Sequence, residues 1–79
     1  MVKVLTTAGR NTDLPIGPAY FSRDYVRRGW FTNTTYPQGG RGVIFRSHWL
    51  FGRQTHVDLR LPNGKYLLEV PIDFVSVID

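Results

Sequence analysis

Arginines alternate with aromatic residues through the middle of this chain, and both residue types indicate what it binds. Nine of the eleven aromatic residues lie between residues 20 and 51, and residues 23–53 hold six arginines against one aspartate. Guanidinium groups bind phosphate oxygens through paired hydrogen bonds, and exposed rings stack on bases. The pattern therefore predicts a basic, aromatic surface for DNA or RNA, without strict sequence specificity. The predicted site residues are Arg23, Arg27, Arg28, Arg41, Arg46 and Arg53 for phosphates, and Trp30, Tyr36 and Trp49 for stacking.

The same residues are also typical of a protein-docking surface. Tryptophan and tyrosine beside arginine make up interface hot spots, and a basic face steers a domain towards an acidic partner. A docking or inhibitor module, of the size that phages often encode, is the alternative function, and a homo-oligomer would use the same surfaces. A small domain also needs large side chains for its core, so the sequence leaves open which rings are buried.

Catalytic and metal-binding motifs find little support in the sequence. The chain has no cysteine, no Gly-x-Ser-x-Gly elbow and no His-Glu-x-x-His pair, and residues 39–42 (Gly-Gly-Arg-Gly) lack the Lys-Ser/Thr of a phosphate-binding P-loop. His56, Asp58 and Arg60 are expected on one solvated strand face, with Asp58 across from Glu69. Only His48 could add a further imidazole to a metal site there. We therefore predict a non-enzymatic module without cofactor or metal.

Length and composition indicate the size of the domain and its location in the cell. The chain has 79 residues and a formal net charge of +4, which predicts one small domain over residues 1–79. No apolar run reaches the roughly 18 residues of a membrane span, and the start lacks the apolar stretch of a signal peptide. We therefore expect a cytoplasmic protein without a membrane partner.

A β-hairpin near the C-terminus is the clearest structural prediction. Residues 55–61 alternate apolar and polar side chains, Asn63-Gly64 suits a two-residue type I′ turn, and residues 65–70 return. With that turn, three pairs of residues point together into the core. They are Leu61 with Tyr66, Leu59 with Leu68, and Val57 with Val70.

The rest of the chain is expected to add short strands and loops. Strands are predicted over residues 2–6, 42–51 and 75–78, with a 3₁₀ turn at residues 72–74 and loops over residues 7–19 and 32–42. Residues 22–28 suit either one helical turn or an extended segment over residues 25–27. In the strand over residues 42–51, Val43, Phe45, Ser47 and Trp49 are expected on the core side, unless a bulge reverses the assignment.

Residues 42–79 resemble the closing half of an SH3-like small barrel. The resemblance is carried by the strand that begins Gly42-Val43, by Leu61-Pro62-Asn63-Gly64, by Val70-Pro71 and by the last strand Phe74–Ile78. KOW-type domains of transcription and translation proteins, and small subunits of electron-transfer complexes, end in a similar way. The resemblance implies an all-β, SH3-like barrel of about five strands with a long, loop-rich N-terminal half.

Overall fold

Extended segments build the whole fold, as the Gly- and Pro-rich turns of the sequence predict. The computed structural model describes residues 13–78, which contain no α-helix and therefore none that could cross a membrane. The strands are β1 (Gly17–Phe21), β2 (Tyr25–Arg28), β3 (Asn33–Tyr36), β4 (Arg41–Leu50), β5 (Arg53–Arg60), β6 (Tyr66–Pro71) and β7 (Val75–Val77), with a 3₁₀ turn at Ile72–Phe74. The all-β prediction is confirmed.

The strands form two antiparallel sheets. The larger has the order β6-β5-β4-β1-β7, and the smaller is the hairpin β2-β3. Strands β6 and β7 are the edges of the larger sheet, so the sheet is not closed into the barrel that we predicted. One β6 carbonyl, that of Leu68, accepts a hydrogen bond from the Arg27 side chain of β2.

The predicted C-terminal elements are present, whereas the N-terminal half holds more strand than expected. The long strand, the 3₁₀ turn and the last strand appear as β4, Ile72–Phe74 and β7. Strand β2 is extended and not a helical turn, and β1 and β3 occupy parts of the two predicted loops. The strand predicted over residues 2–6 lies outside the described residues.

The register of the β5-β6 hairpin is one residue away from the prediction at its turn. Leu61 N donates to Lys65 O, which leaves a three-residue loop over residues 62–64 with φ of +87° at Gly64. Leu59 therefore pairs with Leu67, and Tyr66 pairs with Arg60 on the outer face. A β-bulge around Glu69 absorbs the extra residue and restores the predicted pair of Val57 with Val70.

A second bulge decides which side of β4 is buried. The pairing of β4 with β5 shifts between Ile44 and Arg46, so that side chains on either side of this point exchange faces. Ile44 is fully buried, whereas Val43 and Trp49 are about half exposed. The predicted core side was therefore wrong for Val43, before the bulge, whereas Ser47, beyond it, lies on the predicted core side, paired with the buried Val57. A further shift between His48 and Trp49 precedes the exposed Trp49.

The core lies beneath the larger sheet and continues under the small hairpin. Its buried apolar residues are Ala19, Phe21, Tyr25, Ile44, Val57, Leu59, Leu67, Val70 and Val75. Leu61 packs against it partly buried, while Tyr66 and Leu68, both predicted to be core, are exposed. The ring of Tyr25 contacts Phe74 edge-on at 5.0 Å, and the rings of Phe21, Tyr25 and Tyr36 stack at 5.7 to 6.2 Å. These rings join the two sheets.

Candidate functional site

The outer face of β4, β5 and β6 gathers arginines and aromatic rings that are far apart in sequence. Val43 of β4 pairs with Arg60 of β5, and Arg60 pairs in turn with Tyr66 of β6. Because the residues paired across a sheet share one face, these side chains form a row. A surface depression beside that row is lined by Phe45, Arg46, Arg60, Tyr66 and Leu68. A second depression is lined in part by Arg41 and Arg60. We call Arg41, Arg46, Arg60, Phe45 and Tyr66 the basic face.

The two rings of the basic face contact one another and leave one ring open to solvent. Phe45 and Tyr66 meet edge-to-face, with centroids 5.3 Å apart and planes at 70°. Tyr66 is 63% exposed, and the guanidinium of Arg46 lies 5.7 Å from the centre of the Phe45 ring. Arg46 and Phe45 therefore hold one another in place, and the exposed face of Tyr66 remains available to a ligand.

A buried carboxylate underlies this surface. Asp58 is 1% exposed, and its Oδ1 accepts hydrogen bonds from Glu69 N at 2.7 Å and from His48 Nε2 at 2.8 Å. Its Oδ2 lies 3.8 Å from Arg46 Nε. Asp58 was predicted to face solvent opposite the Glu69 side chain, but the bulge presents the Glu69 amide to it instead. The expected repulsion of two carboxylates is replaced by hydrogen bonds.

The environment of Asp58 favours its charged form. Burial by itself raises the pKa of the carboxyl, whereas the hydrogen bonds from Glu69 N and His48 and the attraction of His48 and Arg46 lower it. The lowering effects outweigh the burial, and the pKa of Asp58 lies below its ordinary value. The negative charge is thus satisfied inside the protein. Within residues 13–78, Arg41 and Arg60 form no ion pair.

The structure distributes the nine predicted site residues over several elements. Arg41 and Arg46 lie on the basic face. Arg27, Arg28, Trp30 and Tyr36 belong to the β2-β3 hairpin, Trp49 and Arg53 flank the β4-β5 turn, and Arg23 lies between β1 and β2.

Three of the predicted residues outside the basic face are engaged in contacts within the protein. Arg27 donates to the Tyr25 hydroxyl and to Leu68 O, and Arg23 lies over the Phe74 ring. Tyr36 is half-buried among the rings that join the sheets. These three side chains therefore have structural partners, whatever else they bind.

Sequence reasoning left Arg60, Phe45 and Tyr66 out of the site. Tyr66 had been assigned to the core because the turn was read as two residues long. A three-residue loop over Pro62-Asn63-Gly64 places Tyr66 opposite Arg60. Predicting that loop length would therefore have placed Tyr66 on the outer face. Phe45 follows the buried Ile44 and lies on the outer face by alternation, and the β4 bulge, which no local sequence pattern indicates, brings Arg46 to the same face.

Two turns present aromatic side chains with almost no burial. Trp30 and Phe31, between β2 and β3, are 95% and 92% exposed, with ring centroids 6.0 Å apart. Phe51, in the turn between β4 and β5, is 97% exposed. Such rings contribute nothing to the core and are open to a ligand or partner.

Residues 13–78 hold no group of three or more His, Cys, Asp or Glu side chains placed to bind a metal ion. Comparison with protein-family models, with curated proteins and with solved structures finds no match to this chain.

Proposed function

We propose that this chain is a non-enzymatic module that binds nucleic acid through the basic face, without strict sequence specificity. The observation that supports the proposal is the arrangement of Arg41, Arg46 and Arg60 around the Phe45–Tyr66 pair on one sheet face. Guanidinium groups supply phosphate contacts, and exposed rings supply stacking platforms for unpaired bases.

The spacing of the arginines suits a phosphate backbone. Arg60 pairs with Val43, so Arg41 lies one diagonal step from it across the sheet. Arg46 pairs with Asp58, which places it a diagonal step from Arg60 on the other side. Diagonal neighbours on one sheet face are roughly 7–8 Å apart. A nucleic-acid strand that runs along the boundary between β4 and β5 meets the three charges in series, with Tyr66 beside the middle one.

The test is oligonucleotide binding measured by fluorescence anisotropy over a series of salt concentrations. Removing two phosphate contacts in Arg41→Ala/Arg60→Ala is expected to make the log–log salt slope on single strands shallower by about 1.4, since each contact contributes about 0.7. Arg46 is kept because it also pairs with Asp58. Arg23→Ala removes the same kind of charge off this face and is the control. Absence of binding to DNA and RNA at low salt would contradict the proposal.

Docking to an acidic protein is the second candidate, and the β2-β3 hairpin favours it. Trp30 and Phe31 are almost fully exposed next to Arg28, the combination found at interface hot spots. Affinity purification from host lysate with and without nuclease separates the two functions. A stoichiometric protein that survives nuclease and is lost in Trp30→Ala/Phe31→Ala supports docking, whereas capture that disappears with nuclease supports nucleic-acid binding.

We further infer that the larger sheet is an open relative of the SH3-like small barrel. The series β4, β5, β6, 3₁₀ turn and β7 follows the order of the resembling segment, and β7 returns beside β1. A cytoplasmic location, where nucleic acid is at hand, belongs to the same proposal.

A further inference from the structure

The turn between β4 and β5 holds an aromatic residue in a backbone conformation that aromatic residues disfavour. Leu50 pairs with Arg53, which leaves a two-residue loop in which Phe51 and Gly52 have φ of +54° and +74°. Positive φ at both positions defines a type I′ turn, whose first loop position favours Asn, Asp or Gly. A bulky side chain there is a genuine outlier. Phe51 is nevertheless 97% exposed, so no packing against residues 13–78 compensates for the strain.

The residues before Phe51 make the end of this hairpin apolar on both sides. Trp49 and Leu50 are consecutive in β4, so their side chains point to opposite faces of the hairpin. Each is more than half exposed. Trp49, Leu50 and Phe51, which we call the apolar wedge, thus present apolar surface on two faces and at the end.

Along the two strands of this hairpin, the charged side chains closest to the turn are positive. They are Arg46 on β4 and Arg53 on β5. Arg53 pairs with Leu50 and is exposed next to the turn. A surface that covers this hairpin must therefore match apolar contacts on both sides of the wedge and tolerate positive charge around them.

We propose that the Phe51 ring, at the tip of the apolar wedge, inserts between neighbouring bases of the nucleic acid that the basic face holds. The proposal rests on the proposed function. The gap at a base step accepts one ring and has phosphates at its rim, so Phe51 enters the step while Trp49 and Leu50 pack against the bases and sugars on its two sides. Apolar side chains inserted at base steps, with cations on the backbone, are an established way to unstack and bend a duplex.

The wedge and a phosphate-binding residue belong to the same strand. Arg46 and Phe51 are five residues apart, a span of roughly 16 Å along an extended chain. A duplex held at Arg46 thus meets Phe51 a few base pairs farther along. Insertion is easiest where stacking is already weak, so mismatched or flexible pyrimidine–purine steps are the expected targets.

Phe51→Asn tests the proposal because it separates stability from binding. Asparagine tolerates the left-handed region, so this variant is expected to melt a few degrees higher than the parent protein. It is also expected to bind a mismatched duplex about tenfold more weakly. The fluorescence rise of a 2-aminopurine placed at the mismatch, which reports unstacking, is expected to be lost. Phe31→Asn removes an equally exposed ring from the other hairpin and is expected to keep both signals.

Each outcome bears on the proposal. Loss of stability in Phe51→Asn would show that the ring is structural and would overturn it. Binding with an unchanged 2-aminopurine signal would overturn the wedge while leaving the proposed function in place. Failure of the parent protein to bind any oligonucleotide would contradict the proposed function and the wedge together. Phe51-dependent sedimentation with anionic phospholipid vesicles, in place of duplex binding, would assign the wedge to a lipid surface.

Discussion

Asp58 shows how one buried carboxylate holds three strands of the sheet in register. It belongs to β5, and its Oδ1 accepts hydrogen bonds from His48 of β4 and from the Glu69 amide of β6. The β6 bulge leaves that amide without a ladder partner, so the carboxylate satisfies a group that the bulge exposes. The two irregularities, a buried charge and a bulge, therefore stabilise one another.

Replacing this charge is expected to be destabilising. Asp58→Asn keeps an acceptor of the same shape but removes the charge, and hydrogen bonds to charged groups contribute about 1.5–3 kcal/mol each. We expect the free energy of unfolding to fall by about 2 kcal/mol at pH 7, measured by urea denaturation. Asp73→Asn, at an exposed position, is the control and is expected to change little. An unchanged free energy of unfolding in Asp58→Asn would show that His48 and Glu69 N find other partners.

The same carboxylate predicts how stability depends on pH. The pKa of Asp58 is lowered in the folded protein from its ordinary 3.8, so the folded state favours the charged form. This contribution is fully present above the unfolded pKa and is lost as the pH falls through the folded pKa. We expect the parent protein and Asp58→Asn to differ most near neutral pH and to converge as the pH falls below 3.8 and through the lowered pKa of Asp58. A difference that persisted unchanged at acid pH would contradict the charge as its cause.

Glu69 adopts the left-handed backbone conformation that glycine tolerates best. Its φ is +55°, and for a residue with a Cβ this left-handed conformation costs about 1–2 kcal/mol. We expect Glu69→Gly to be more stable than Glu69→Ala by about 1 kcal/mol, since both remove the carboxylate and only glycine relieves the strain. Thermal melting of the two variants side by side is the measurement. Equal melting temperatures would mean that the bulge relaxes by itself.

At the scale of elements, the β5-β6 hairpin shows what alternation alone predicts. The apolar–polar pattern located both strands, and the pair of Val57 with Val70 was correct. The turn was misassigned because Asn63-Gly64 suits both a two-residue loop and the last two positions of a three-residue one. The structure selects the longer loop, in which Asn63 Oδ1 accepts from Lys65 N. A shift of one residue then turned Tyr66 from the predicted core to the basic face.

Gln54 attaches the segment before β1 to the larger sheet. Its buried amide accepts from Leu14 N at 2.7 Å and donates to Leu14 O at 3.0 Å and to Ser47 Oγ at 2.9 Å. The Gln54 side chain thus makes the two hydrogen bonds to the Leu14 backbone that a neighbouring strand would otherwise make. The sequence around Gln54 does not predict this role, because its partner Leu14 is forty residues away.

Removing this amide is expected to release the segment around Leu14. Gln54→Ala leaves several buried polar groups without partners, and we expect a loss of about 2–3 kcal/mol in the free energy of unfolding. Hydrogen exchange at the Leu14 amide is expected to accelerate more than exchange in β4. Gln38→Ala, at an exposed position, is the matched control. Unchanged protection at Leu14 would show that apolar packing alone holds the segment.

At the scale of the whole molecule, the sequence predicted the C-terminal half of the fold well and missed strands in the N-terminal half. Residues 41–78 form the predicted series of strands, because their apolar alternation and turn residues are strong signals. The β2-β3 hairpin was missed because β3, with the sequence Asn-Thr-Thr-Tyr, is nearly all polar and has no apolar alternation. The hairpin exists through tertiary contacts, since an isolated two-stranded hairpin is marginal in water.

Those tertiary contacts make Tyr36 the residue on which the junction of the two sheets depends. Its ring stacks on Phe21 and Tyr25, so we expect Tyr36→Ala to lose about 2–3 kcal/mol in the free energy of unfolding. Hydrogen-exchange protection in β2 and β3 should fall before protection in β4 and β5 does, because the hairpin has few other anchors. Tyr20→Ala, an exposed ring on β1, is the control. The sequence assigned Tyr36 to base stacking, and oligonucleotide affinity under conditions where the variant is folded separates the two roles. Unchanged oligonucleotide affinity together with the loss of stability would support the structural role of Tyr36 between the sheets. A large loss of affinity without a loss of stability would instead support its predicted role in base stacking.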